Sequence, residues 1–301
     1  MSLFRTDALS KTYGSTRAVD DLTVDVPSGR VGLVGANGAG KTTLFRLLLG
    51  LAQPSAGTLE VLGRPVASDP VGIRARIGYM PEHDCLPTDQ TAADTVAALG
   101  ELSGLPSRQA RQRSSDVLHL VGLGEERFRP LSGYSTGMRQ RAKLAQAIVA
   151  DPRLVLLDEP TAGLDPTGRD EMLDLVRRLG DFGISVVMAT HILDDVERVC
   201  DHVVMLDRGR LVAAGPTSTL TGAGPGGVVV EVGGPVRPLA HALEDRGLEC
   251  RIVDGHLEVA TSGDDDLDVI RDAVADLELP LIRLASRLTS LDEVFVGRAS
   301  R

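Results

Sequence analysis

Apolar and polar residues alternate in Leu22-Thr23-Val24-Asp25-Val26, which predicts a strand buried on one face. Arg30-Val31-Gly32-Leu33-Val34 is a short apolar run ending at a glycine-rich stretch, as expected of a buried strand entering a loop. From Lys41 to Leu49 the period becomes helical, and Gly50 supplies the stop. Helical patterns then dominate over Thr91–Glu101, Ser107–Val121 and Ser135–Ala150. Beyond them, strands (Leu154–Leu157, Ile184–Ala189, His202–Leu206) alternate with helices (Thr167–Leu179, Ile192–Cys200). Such alternation predicts an α/β fold, a mostly parallel sheet with helices packed on its faces. Residues 213–227 are rich in Gly, Pro, Ser and Thr and are expected to form a linker. After them, Val228–Val232, Glu249–Val253 and His256–Ala260 read as strands, and Pro238–Arg246 and Asp265–Ala275 as helices. The expectation is a large domain over residues 1–220, helical at about 85–150, and a small α+β C-terminal accessory or regulatory domain over 221–301.

Composition narrows the function. The 301 residues carry 42 acidic and 32 basic side chains, a net charge of −10. That balance argues against a protein that coats nucleic acid, whose affinity rests on clustered Lys and Arg. No run approaches the roughly 18 apolar residues of a membrane-spanning helix. The start, Met1-Ser2-Leu3-Phe4-Arg5, lacks the apolar core of a secretion signal. Cys85, Cys200 and Cys250 are odd in number and far apart, so neither a disulfide framework nor a metal cluster is expected. Only Lys11, Lys41 and Lys143 among the basic residues are lysines, which makes the setting of each informative.

Lys41 closes Gly35-Ala36-Asn37-Gly38-Ala39-Gly40-Lys41-Thr42-Thr43, a match to G-x-x-x-x-G-K-[ST] between an expected strand and an expected helix. Glycines let backbone N–H groups turn inward as an anion nest, and the helix N-terminus adds about half a positive charge. Lys41 would reach the outer phosphates of a nucleotide, and the Thr42 hydroxyl would ligate Mg²⁺. Further on, the apolar strand Leu154–Leu157 ends in Asp158-Glu159, at the edge where α/β sheets bind ligands. Asp158 suits a Mg²⁺ contact, direct or through water. Glu159 suits a general base acting on the attacking water.

With these residues in place, the chain resembles the nucleotide-binding subunit of an ABC transporter. Tyr134-Ser135-Thr136-Gly137-Met138-Arg139-Gln140-Arg141 is similar to the family signature L-S-G-G-Q-x-Q-R. Its first residue stands 24 positions before Asp158 and its register aligns Gln140-Arg141, whereas the upstream Leu131-Ser132-Gly133 stands 27 before. Tyr134 and Thr136 depart from the family residues. Ser135 is also placed to cap the helix that follows. Tyr13 resembles the aromatic that stacks on adenine, and Gly163-Leu164-Asp165 the loop that faces an opposing subunit. His191, at the end of a strand, resembles the histidine that contacts the γ-phosphate. Where the family usually has Gln, this chain has Glu82, whose carboxylate is expected to keep contact with Mg²⁺ or its water.

The resemblance covers about residues 3–215 and implies a P-loop NTPase core with an antiparallel β subdomain and a helical subdomain. Its cofactors would be ATP and Mg²⁺. The nucleotide would touch Tyr13, Gly35 through Thr43, and the Ser135, Gly137 and Asp165 of a second ATPase subunit in a homodimer or heterodimer. Glu159, His191 and Lys41 would be catalytic, and Thr42, Asp158 and Glu82 would hold the metal. The implied function is an ATPase that powers a separate integral-membrane permease from the cytoplasmic face of the cell membrane. The helical segment 91–150 and the loop from Met80 to Asp89 would dock that permease. Thr289–Phe295 is similar to a segment closing ATPases of the drug- and polysaccharide-exporter type, which favours export. The alternatives are an ABC ATPase that drives no transport and an ATP-dependent regulatory or assembly module. The absence of a second cassette weighs against the first, and intact Lys41, Asp158, Glu159 and His191 against the second.

Overall fold

A computed structural model describes residues 2–221, 223–253, 255–261, 263–288, 291, 294 and 295. The chain divides into two compact units, Met1–Pro216 and Thr217–Gly297. In the first, the elements run β1 (Ser2–Tyr13), β2 (Thr16–Pro27), β3 (Arg30–Val34), α1 (Lys41–Leu48), β4 (Ala56–Val61), β5 (Arg64–Pro65), α2 (Pro70–Arg74), β6 (Ile77–Met80), α3 (Ala92–Leu102), α4 (Ser107–Leu120), α5 (Thr136–Ile148), β7 (Leu154–Asp158), α6 (Pro166–Asp181), β8 (Ser185–Thr190), α7 (Leu193–Val199), β9 (His202–Asp207) and β10 (Arg210–Pro216). The second unit contains α8 (Thr217–Leu220), β11 (Ala223–Val232), α9 (Val236–Glu244), β12 (Cys250–Val253), β13 (His256–Ala260), α10 (Asp264–Asp276) and β14 (Leu281–Leu288).

The central sheet has the order β10-β9-β3-β8-β7-β6. Its strands are parallel except β10, which pairs antiparallel with β9 at one edge. All five residues of β7 are buried, as expected of a strand covered on both faces. A second, antiparallel sheet has the order β2-β1-β4-β5. On β2, Leu22, Val24 and Val26 are buried while Thr23 and Asp25 are exposed, as the alternation predicts. Leu44, Phe45, Leu47 and Leu48 of α1 fill the core between the two sheets, against Leu9, Leu22, Leu156 and Val204. Side chains set the helix starts by accepting orphan N–H groups: Thr91 from Asp94 on α3, Ser135 from Met138 on α5 and Asp165 from Gly168 on α6.

The second unit runs β-α-β-β-α-β after α8, with sheet order β12-β13-β11-β14. This is the split βαβ arrangement of ferredoxin-like domains. Val228, Val230, Leu239, Leu243, Leu257, Val259, Ile270 and Ala273 form its core.

The linker expected over 213–227 is a correction. Ala213–Pro216 belong to β10, in register with Met205 to His202, and α8 and the start of β11 occupy the rest. Small residues and Pro are tolerated there because β10 lies on a sheet edge. The structure also adds α2 and the strands β4, β6 and β14, which pair with β1, β7 and β11, far along the chain. The terminal segment Thr289–Phe295 lies outside the described residues but for Leu291, Val294 and Phe295.

Candidate functional site

β3 ends at Val34, and the chain turns through Gly35–Gly40 into α1. Gly40 precedes the helix with φ of 104°, a left-handed conformation that favours glycine. A Cβ at Gly40 would stand 2.4 Å from the Ala18 carbonyl oxygen, so a side chain there would push the loop off β2. No side chain caps α1, and its first N–H groups remain available to an anion. The loop and this first turn line a cavity of about 650 Å³, together with Arg17, Glu82, Asp158, Glu159 and Arg208.

Lys41 is the buried cation of this cavity. Its Nζ donates to Gly35 O at 2.6 Å and to Ala36 O at 3.4 Å, and lies 3.6 Å from Glu159 Oε1. His191, at the end of β8, places Nδ1 3.0 Å from the other oxygen, Glu159 Oε2. Glu159 has φ of 48°, the left-handed region that costs a non-glycine residue about 1–3 kcal/mol. Its backbone N–H donates to Ala189 O at 2.9 Å, which ties the strained residue to β8. The carboxylate is thus fixed by its backbone and flanked by two basic side chains.

Asp158, the last residue of β7, accepts from Thr42 Oγ1 at 3.3 Å and from the Tyr79 hydroxyl at 3.4 Å. Burial holds the Asp158 carboxyl above its ordinary range. The Thr42 hydrogen bond opposes that rise, while Glu82 and Glu159 add to it. Burial, then Asp158, pushes the Tyr79 phenol up to about 12. The Thr42 hydroxyl and the Asp158 and Glu82 carboxylates are hard oxygen donors on one cavity, a donor set that fits Mg²⁺. Among the described residues no three His, Cys, Asp or Glu gather closely enough to hold a metal unaided.

Sequence-derived candidates therefore fall into two groups. Ala36, Asn37, Gly38, Ala39, Gly40, Lys41, Thr42, Thr43, Glu82, Asp158 and Glu159 line one cavity, with His191 in contact through Glu159 and Gly35 through Lys41. Tyr13, Ser135, Gly137 and Asp165 do not line it. Tyr13 ends β1 and is 42% exposed, with Lys11 Nζ 4.9 Å above its ring. Ser135 and Asp165 cap their helices, and Gly137 faces Leu164. Tyr134 is buried where the family motif has Leu, and its hydroxyl is satisfied by Glu126 O at 2.7 Å. Sequence reasoning missed Arg17 and Arg208, which line the cavity from the start of β2, just past the β1–β2 turn, and from the β9–β10 turn. Their signal was an arginine beside a turn, which says nothing of where the turn lands.

Comparison with known proteins agrees with this architecture. Residues 19–162 match the family model described as ABC transporter. The chain is 35% identical to the daunorubicin/doxorubicin resistance ATP-binding protein DrrA of Streptomyces peucetius, over 97% of this chain and 91% of that protein. It is 34% identical to the Nod factor export ATP-binding protein I of Ralstonia nicotianae, over 98% of this chain and 93% of that one. Among solved structures, cbiO1 from Clostridium perfringens, part of an ABC transporter complex, superposes with a TM-score of 0.67 at 27% identity, over 73% of this chain and 90% of that chain. The fold is also shared with a dimeric ATP-binding cassette bound to ADP and Pi, at a TM-score of 0.65 and 21% identity, over 71% of this chain and 98% of that one. The chain belongs to the ABC transporter family, as an ATP-binding subunit that hydrolyses ATP. No helix among the described residues is long and apolar enough to cross a membrane.

Proposed function

We propose that this chain is the ATP-hydrolysing subunit of an exporter, driving a separate integral-membrane permease through ATP-dependent pairing of two ATPase subunits. The observation that carries the reading is Glu159, held beside Lys41 and His191 at the phosphate-binding loop. Glu159 accepts a proton from water as the water oxygen attacks the γ-phosphorus and the bond to the ADP oxygen breaks. Lys41 and the loop N–H groups stabilise the charge that develops on the phosphate oxygens, and His191 positions Glu159 and reaches the γ-phosphate. Thr42, Asp158 and Glu82 would hold Mg²⁺, which supplies charge neutralisation on the phosphates. Tyr13 stacks on the adenine.

Ser135, Gly137 and Asp165 lie outside the cavity of their own chain, which supports their action on nucleotide held by the opposite subunit. The export direction is supported by the drug-resistance and Nod factor export relatives. The helical segment 91–150 and the Met80–Asp89 loop serve as the permease-docking surface, with the chain on the inner face of the membrane. The second unit is an accessory or regulatory domain. The test measures phosphate release from ATP with and without Mg²⁺. It then recovers the tagged chain from detergent-solubilised membranes with its bound proteins. Mg²⁺-dependent release and co-purification of an integral-membrane protein are expected. Release without co-purification would defeat the transport assignment, and no release would defeat the reading.

A further inference from the structure

Of the three lysines, Lys143 has no part in the chemistry proposed above. It lies on α5 at 1% exposure, between the buried residues Ala142 and Leu144. A cation in such a place is costly, and an apolar residue would fill it more cheaply. What the lysine adds is reach. Its Nζ donates to the main-chain carbonyl of Glu82 at 2.7 Å. Three residues on, Gln146 Nε2 donates to Cys85 Sγ at 3.2 Å. One face of α5 therefore grips the loop after β6 at two points. Gly78 permits this approach: a Cβ there would stand 1.8 Å from Ala147 O, so only glycine lets α5 lie against β6. Burial pulls the Lys143 ammonium down, while Cys85, Asp84, Glu82 and Asp158 oppose that pull. Glu82 itself lines the nucleotide cavity, and α5 begins at Ser135 and Gly137.

We propose that Lys143 is a positioning residue that locks the Glu82 loop to the α5 helix, so that the Ser135–Gly137 segment and the Glu82 carboxylate move as one piece. The inference rests on the nucleotide reading given above. Contact of the α5 N-terminus with nucleotide on a second subunit would then be transmitted to Glu82 in the first chain's own cavity. Lys143 acts only through the Glu82 backbone and touches no reacting atom.

The test compares Lys143→Met, Glu82→Ala and the double variant in a Cys250→Ser background, leaving Cys85 as the exposed thiol. ATP affinity, kcat, the Mg²⁺ concentration for half-maximal rate and the rate of Cys85 modification by a thiol reagent are measured. Lys143→Met is expected to leave ATP affinity within about twofold, to lower kcat about tenfold and to speed Cys85 modification several-fold. The double variant should be no slower than Glu82→Ala alone. Independent, multiplying effects, or an unchanged Cys85 rate, would overturn the coupling. If Lys143→Met does not fold, Lys143→Gln, which keeps an N–H donor on a shorter stem, is measured instead, with a smaller change in the same direction expected. If Glu82→Ala has no effect by itself, the reading of Glu82 falls, and the Cys85 rate alone decides whether Lys143 holds the loop.

Discussion

Replacing Lys41 by Met would remove the cation facing Glu159 while keeping an unbranched side chain one atom shorter. Both side chains are 7% exposed and the charged atoms lie 3.6 Å apart, so little solvent screens the pair. At an effective dielectric of about 20 the attraction is roughly 4–5 kcal/mol. Desolvation takes back part of it, which leaves a net coupling of about 2 kcal/mol. The single substitution costs more, about 3 kcal/mol, because Glu159 stays buried without Lys41, and Gly35 O and Ala36 O lose their donor. For a unit of this size that is a fall of roughly 6–12 °C in melting temperature. The assay is a double-mutant cycle of Lys41→Met and Glu159→Gln, followed by circular dichroism in heat and in urea without nucleotide. Lys41→Met should be the most damaging single change, and the double variant should recover about 2 kcal/mol of the summed loss. A coupling energy below about 0.5 kcal/mol would refute the argument that the pair is a buried, functioning ion pair.

Asp158→Asn should abolish ATP hydrolysis and yet raise stability by about 1 kcal/mol at neutral pH. Burial and the neighbouring carboxylates raise the native Asp158 carboxyl above its unfolded value, so the native state binds the proton more tightly. Its charge therefore costs stability as pH rises above the ordinary carboxylate range, and the advantage of Asn should grow from pH 4 to pH 7 in melting curves. An advantage that shrank over that interval would contradict the assignment. Asp195 is fully buried and is held by Arg169 and by the Thr161 hydroxyl at 2.7 Å, which joins the loop after β7 to α7. Arg169→Met should cost about 3–5 kcal/mol in urea unfolding, and adding Asp195→Asn should restore much of it. Equal stability of the two variants would show that the uncompensated charge is not the cause.

Much of the fold was legible because it is written locally. β3 and β7 are marked by their apolar runs, α1 by its period and the Gly50 stop, and α5 by its period and the Ser135 cap. The site was legible to the same depth. The loop from Gly35 to Thr43 is contiguous, and Asp158-Glu159 is marked by the apolar strand it ends. What remained hidden depends on long-range closure. β4 opens on the small or polar residues Ala56-Gly57-Thr58, which show no apolar run, and it exists by pairing with β1. Residues 213–216 have the composition of a linker but are held as a strand by β9. Arg17 and Arg208 are 191 positions apart and meet only through the turns that flank the cavity. Lys143 sat in a helical pattern where a single charge reads as surface, and only the packing of α5 on β6 shows it to be buried.

The most direct test of the central claim is phosphate release by Glu159→Gln in a single turnover with excess protein, alongside the mass of the complex in ATP. ATP binding close to that of the unmodified chain, turnover lowered by about a thousandfold and an accumulated dimer are expected. Turnover at the unmodified rate would show that Glu159 is not the base and that the water is activated by another group.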